Sequence, residues 1–156
     1  MEIRDATVED AEAACQVSRR SISELCAADH RDDAAVLELW LRNKTPDTFK
    51  GWIAQSNQSV LLAIEQGAII GVGAVSDVGE ITLNYVSPDN RFRGVSRALL
   101  RALEDRARQR GNLRCTLTST ETARRFYFAN GYVEDKPSAA KFPVSGYPMS
   151  KVLAVR

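Results

Sequence analysis

The chain has 156 residues, 44% of them hydrophobic and 26% charged, enough for one sizeable core and close to the average of globular domains. A formal net charge of +1 gives no overall electrostatic reason to bind nucleic acid or an acidic membrane. The charged start, the want of any apolar run near the ~18–20 residues that cross a bilayer, and three cysteines beside a single histidine lead to one expectation: a cytoplasmic protein with reduced thiols and no metal.

In chain order, Ile3–Ala6 reads as a short first strand. Thr7 then opens a helix, with Asp10 three residues on as a capping-box partner. Ala11, Ala14, Cys15, Ser18, Ile22 and Leu25 recur at helical spacing and define a buried face. The run Asp29-His30-Arg31-Asp32-Asp33 interrupts it and caps a second helix carrying Val36, Leu39 and Trp40. Thr45-Pro46 reads as an N-cap with proline at the first helical position, and Phe49, Trp52 and Ile53 form the apolar side of that helix.

The period then changes. Ser59–Glu65 and Ala68–Ser76 are β-rich runs joined by Gln66-Gly67, a hairpin turn, and a third run spans Glu80–Ser87. From Val95 the helical period returns, with Ala98, Leu99, Ala102, Leu103 and Ala107 on one face, until Gly111-Asn112. Leu113–Thr118 is a strand, about Glu121 to Asn130 a helix ended by Gly131, and Tyr132–Lys141 and Tyr147–Val152 two last strands. No repeat or linker divides the chain, so residues 1–156 are expected to form a single mixed α/β domain.

The turn between the third strand and the long helix concentrates features that suit an anion. The first turn of a helix leaves backbone N–H groups without partners, and the helix dipole adds partial positive charge there. Gly94 has no Cβ to hold an anion away from the backbone, and Arg91, Arg93 and Arg97 surround the same turn. A pyrophosphate site fits, as does a merely solvated, well-capped helix end. No Gly-Lys-Ser/Thr follows, and G-x-G-x-x-G is absent, which excludes the two common nucleotide loops.

Two segments carry a resemblance. Glu80–Pro88 followed by Arg91-Phe92-Arg93-Gly94-Val95-Ser96 resembles the acetyl-CoA site of the GNAT superfamily of N-acetyltransferases, whose pattern is Gln or Arg, two residues, Gly, one residue, Gly or Ala. Ser96 stands where Gly or Ala is usual. Ala123–Tyr132 resembles the same family's Ala-x-x-[Phe/Leu]-Tyr-x-x-x-Gly-[Phe/Tyr] helix. The resemblance implies a mostly antiparallel twisted sheet of six or seven strands, flanked by about four helices, around a β-α-β core that binds acyl-CoA. It implies that the amides of Arg93, Gly94, Val95, Ser96, Arg97 and Ala98 hold the pyrophosphate, with Arg91 at the motif's first position. Backbone groups of Tyr85 and Val86 would pair with the pantetheine arm, and Thr120 sits where the family often has an Asn that contacts it.

Acyl transfer from a thioester to an amine needs a proton removed from the amine and one supplied to the departing thiolate. A phenol with a pKa of about 10 suits the second task. By spacing alone Tyr127 reads as a packed helix aromatic; the resemblance makes it the general acid. Glu80, fourteen residues before Gly94, resembles in that spacing the glutamate base of the histone-acetyltransferase branch of the superfamily, which makes it the candidate base. Strand alternation puts it on one face with Thr82 and Asn84, and a solvated strand-start residue, with water as base, is the alternative. His30 is expected to be exposed, Cys115 to be a buried apolar residue, and Asp29, Asp32 and Asp33 to line the acceptor mouth or merely solvate a loop. Trp40, Trp52, Phe142 and Tyr147 are candidates for an acceptor pocket or for the core.

The resulting expectation is an acetyl-CoA-dependent N-acetyltransferase acting on a small-molecule amine or a protein amino group, without nucleic acid or membrane as partner, with a homodimer possible by analogy only. The alternative is a sensor of the same fold that binds acyl-CoA without catalysis. A nucleic-acid reading fails because the arginines between Arg91 and Arg125 fall on two helix starts and not along one stripe.

Overall fold

The computed structural model describes residues 1–135 and 146–154. Strand β1 (Glu2–Asp5) leads into a 3-10 turn (Val8–Asp10) opened by the expected Thr7–Asp10 capping box. Helices α1 (Ala11–Leu25), α2 (Ala27–His30), α3 (Ala34–Leu41) and α4 (Pro46–Ala54) follow. Asp33 caps α3 by accepting from the amides of Ala35 and Val36, and Thr45 caps α4 through the amide of Thr48. The hairpin β2 (Gln58–Glu65) and β3 (Ala68–Ser76) turns at Gln66-Gly67, both at positive φ as a type I′ turn requires. Then come β4 (Ile81–Val86), α5 (Val95–Gln109), β5 (Arg114–Ser119), α6 (Arg124–Ala129), β6 (Val133–Glu134) and β7 (Tyr147–Val152). The rest of the expected strand Tyr132–Lys141, and Phe142, lie outside the described residues.

These strands form two sheets, β1-β2-β3-β4 and β5-β7-β6, every pairing within them antiparallel. The sheets meet at one parallel bridge, Glu80 to Thr116, with the Thr116 amide donating to the Gly79 carbonyl at 2.9 Å. Beyond that bridge β4 and β5 separate, so the expected central sheet is split at its middle. Helices α1 and α4 cover one face of the first sheet through Ala11, Ala14, Cys15 and Phe49, while α5 covers the other through Leu99, Leu103 and Ala107.

A register shift between Ala74 and Val75 pairs them with Leu83 and Ile81, leaving Thr82 unpaired. This bulge overturns the expected alternation along β4. Ile81 joins the α5 side, whereas Leu83 and Tyr85 join the α1/α4 side. Glu80 is therefore out of phase with Asn84. His30 also departs from expectation: it is 1% exposed, with Nδ1 accepting from the Asp32 amide and Nε2 facing the Ser23 carbonyl, so the loop folds inward over its only imidazole. The buried ring fills the space beside Trp40.

At the far end, Tyr132 donates to buried Glu104 at 2.7 Å and Lys151 reaches the same carboxylate at 3.1 Å. Two donors on one buried carboxylate satisfy it and tie α5 to the segment after α6 and to β7. Close approach of α5 to β3 depends on Gly73. A Cβ there would lie 2.8 Å from Leu103 Cδ1, 3.1 Å from Leu99 Cγ and 3.3 Å from the Leu83 carbonyl oxygen. Gly73→Ala is expected to lower stability by about 1–3 kcal/mol through overpacking, read as a reduced urea midpoint with unchanged slope.

Candidate active site

The separation of β4 from β5 leaves one edge of β4 without a strand partner. The Ser87 amide donates to the Ile70 carbonyl at 2.8 Å, which fixes the parity of the β3–β4 ladder. By alternation the Tyr85 N–H and C=O face Val72 of β3, and those of Asn84 and Val86 face the open edge. The pair free to bind an extended amide ligand is thus Asn84 and Val86; Tyr85, expected to take part, is committed to its own sheet.

After β4, Ser87 caps a short 3-10 turn (Pro88–Asn90), and the chain reaches Gly94 at φ +78° before α5 begins. A Cβ built at Gly94 would meet nothing within 4 Å, so the turn is open on that side. The first backbone bond of α5 runs from the Ala98 amide to the Gly94 carbonyl, 3.1 Å. The amides of Val95, Ser96 and Arg97 precede it and have no acceptor within the helix. Ala98, expected among the anion-binding amides, is therefore excluded by its own helical bond. The Arg93 guanidinium pairs with Glu65 at 2.8 Å, which turns its charge toward another strand without engaging its backbone amide. Arg91 and Arg97 remain exposed at the turn, Arg91 stacked 4.5 Å from the Phe92 ring centroid. Phe92 itself holds φ +66° and is 90% exposed, strain concentrated at the turn before α5.

A cleft of about 440 Å³ opens between this turn, the free edge of β4, the end of α1 and the start of α6. Of the residues expected to bind the cofactor, Tyr85, Val86, Arg91, Gly94, Val95, Ser96, Arg97 and Thr120 line it, and Arg93 and Ala98 do not. The Thr120 hydroxyl accepts from the Ala123 amide at 3.2 Å and so caps the turn leading into α6. Two ties hold the cleft's walls together. Arg20 of α1 pairs with Asp89 at 2.9 Å, and Asp29 accepts from the Glu121 amide at 2.6 Å and from the Thr122 amide and hydroxyl. Asp29 thus serves to join α2 to the α6 turn, and Asp33 to cap α3; none of the three loop aspartates lines the cleft.

Tyr127 lies in the cleft wall, 7% exposed, its ring edge-on to Phe126 and Tyr132 at 5.1 and 5.5 Å. Asn84 Nδ2 donates to its hydroxyl at 3.4 Å, leaving the phenolic proton free to be given elsewhere. Burial pushes the Tyr127 pKa up to about 12, with the Asn84 bond opposing. Asn84 Oδ1 is buried without a hydrogen-bond partner, an acceptor left waiting beside Tyr127. Sequence reasoning named Asn84 only as a face residue; the signal that it belongs here is the β4 bulge, which no pattern of residues announced. Glu80 is not brought to the cleft. It is exposed beside the Thr116 bridge, four residues and roughly 13 Å of strand from Asn84. Trp40 and Trp52 pack in the α1/α4 layers, and Tyr147 lies under the Arg124 guanidinium at 4.2 Å. The three thiols are buried, with Cys26 and Cys115 pushed up to about 12 and 11 by desolvation, which removes them as nucleophiles at neutral pH.

The family profile described as acetyltransferase (GNAT) domain matches residues 26–153. The GCN5-related N-acetyltransferase "Aminotransferase, Class-II" of Rhodopseudomonas palustris superposes with a TM-score of 0.87 at 28% identity, over 97% of this chain and 95% of that one. The PaiA N-acetyltransferase of Thermoplasma acidophilum, solved with coenzyme A, gives 0.86 at 22% identity, over 97% and 98%. The ribosomal-protein-alanine N-acetyltransferase of Brucella melitensis gives 0.76 at 20% identity, over 98% and 100%. The last two are likenesses of fold. No curated protein sequence matches the chain. Among the described residues no helix is long and apolar enough to cross a membrane. A profile match over most of the chain, on a fold whose split sheet and open helix start meet at a buried tyrosine, means that this chain belongs to the GNAT acetyltransferase family.

Proposed function

We propose that this chain transfers an acetyl group from acetyl-CoA to a primary amine by direct attack in a ternary complex, with Tyr127 as general acid. The observation that carries the reading is the Tyr127 hydroxyl, buried in the cleft and positioned by Asn84, between a free β4 edge and three unpartnered helix amides. When bound, acetyl-CoA supplies the thioester carbonyl that the amine attacks. The amides of Val95, Ser96 and Arg97, with the Arg91 and Arg97 guanidiniums, suit the pyrophosphate, and the main chain of Asn84 and Val86 suits the pantetheine amides. Tyr127 gives its proton to the departing sulfur. The amine loses its proton to water or arrives neutral, because Glu80 stands away from the cleft. The acceptor class spans small amines and protein amino groups; the Brucella relative's name gives a ribosomal-protein alanine for that enzyme alone.

A neutral phenol is what a proton donor requires, and a pKa raised to about 12 keeps Tyr127 neutral throughout the working range. With an acetylated primary amine as product, kcat/KM is expected to rise with the amine's own deprotonation and show no fall below about pH 11. An alkaline limb near pH 9 that vanishes in Tyr127→Phe would keep Tyr127 as the acid but contradict its raised pKa; a Tyr127→Phe variant with undiminished kcat would contradict the assignment. Tyr127→Phe is expected to lower kcat about 10²-fold, roughly 2.7 kcal/mol of barrier, with acetyl-CoA affinity retained. Glu80→Gln is expected to leave the rate unchanged within error. A rate lost in Glu80→Gln and kept in Tyr127→Phe would reverse the roles.

A further inference from the structure

Toward the start of β4 lies a second cavity, of about 260 Å³, that shares no lining residue with the transfer cleft. Its walls are Asn43 and Lys44 before α4, Trp52 on α4, Gln58 at the start of β2, and Ala74, Thr82 and Leu83 on β3 and β4. Lys44 is 6% exposed. Its ammonium donates to the Asn43 side-chain carbonyl at 2.8 Å and lies 5.9 Å from the Trp52 ring centroid. No carboxylate among the described residues lines the cavity or pairs with Lys44. Its carbonyl is held separately, by Arg19 at 2.8 Å and by the Cys15 thiol at 3.2 Å, so the backbone of this residue is fixed.

A buried cation held by one neutral amide and one aromatic face is an unbalanced arrangement. Burial pushes the Lys44 pKa down to about 8, and the thiol of Cys15 is the single group that opposes the shift. The cavity around it has the composition of a site for an organic anion. Thr82, left unpaired by the bulge, and Asn43 are exposed at its mouth and offer a hydroxyl and an amide N–H. Gln58 has its own amide N–H occupied by the Trp52 carbonyl at 3.0 Å, which holds the side chain in place. Trp52, Leu83 and Ala74 supply an apolar floor. One cation with neutral donors matches a single carboxylate; a phosphate dianion would want a second cation.

We infer that this cavity binds a carboxylate-bearing small molecule, its carboxylate on the Lys44 ammonium and its apolar part against Trp52 and Leu83. The site is independent of the transfer cleft, and its test needs no acetyl-CoA. Benzoate is titrated into the full chain labelled with 13C at lysine Cε, with sodium chloride at matched ionic strength as control. Saturable movement of the Lys44 and Trp52 indole resonances is expected, with a Kd of about 1 mM or tighter. The midpoint of Lys44 titration is expected to move up by about one pH unit at saturation, the signature of tenfold preference for the protonated amine. Thr82→Val is expected to weaken binding several-fold, and Lys44→Met to abolish it; should Lys44→Met not fold, Thr82→Val decides. No saturable shift, an equal shift with chloride, tighter binding of inorganic phosphate, or a Thr82→Val titration identical to wild type would each overturn the inference.

Discussion

The parting of β4 from β5 is the constraint on which the rest of this molecule depends. Just before β4, Glu80 meets Thr116 of β5 in one parallel bridge, with the Thr116 amide donating to the Gly79 carbonyl. Past that point the main chain of Asn84 and Val86 has no strand to pair with, and buried backbone groups left unmade are costly. The free edge is an interior surface of peptide donors and acceptors, ready for a ligand that carries amides of its own. Because α5 follows β4 after one short turn, the same separation points a helix N-terminus into the opening. Because β5 leads into α6, it also brings Tyr127 to the opposite wall.

Holding such an opening requires ties elsewhere. The Asp29 and Arg20 contacts bridge α1 and α2 to the two loops that flank the cleft, each spanning a large sequence separation. The Tyr132–Glu104–Lys151 group fixes the far side, where α5, β7 and the end of α6 converge. Glycine at position 73 lets Leu99 and Leu103 of α5 sit close on β3. The ties are polar and the packing apolar, both long-range, and together they define the geometry of the cleft.

Much of this was legible in the chain. Caps at Thr7, Asp33 and Thr45, the Gln66-Gly67 turn and the apolar stripe of α5 follow from local rules, and the structure places them where those rules do. The features at Gly94 that suit an anion were readable because they are adjacent in sequence. What sequence missed is non-local. The Arg93 guanidinium was read as charge around the turn, but it pairs with Glu65 of another strand. Ala98 was one residue too far into its helix. The bulge at Thr82 arises from the match between two strands, so period-2 reasoning put Glu80 on the face of Asn84 when the register separates them. His30, in a charged loop, read as exposed, and only the folding of that loop against Trp40 buries it.

The most direct test of the account is a calorimetric titration of acetyl-CoA into the wild-type chain and into Gly94→Glu. Nothing lies within 4 Å of a Cβ at Gly94, so the glutamate meets no neighbour at the mouth of the three free amides; the φ of +78° costs it about 1–2 kcal/mol, and its carboxylate opposes an anion there. Micromolar binding by the wild type and its loss in a variant with an unchanged far-ultraviolet spectrum is the predicted result. Equal affinity in the two proteins, or no binding by a folded wild type, would contradict the claim that the split sheet and the start of α5 form an acetyl-CoA site.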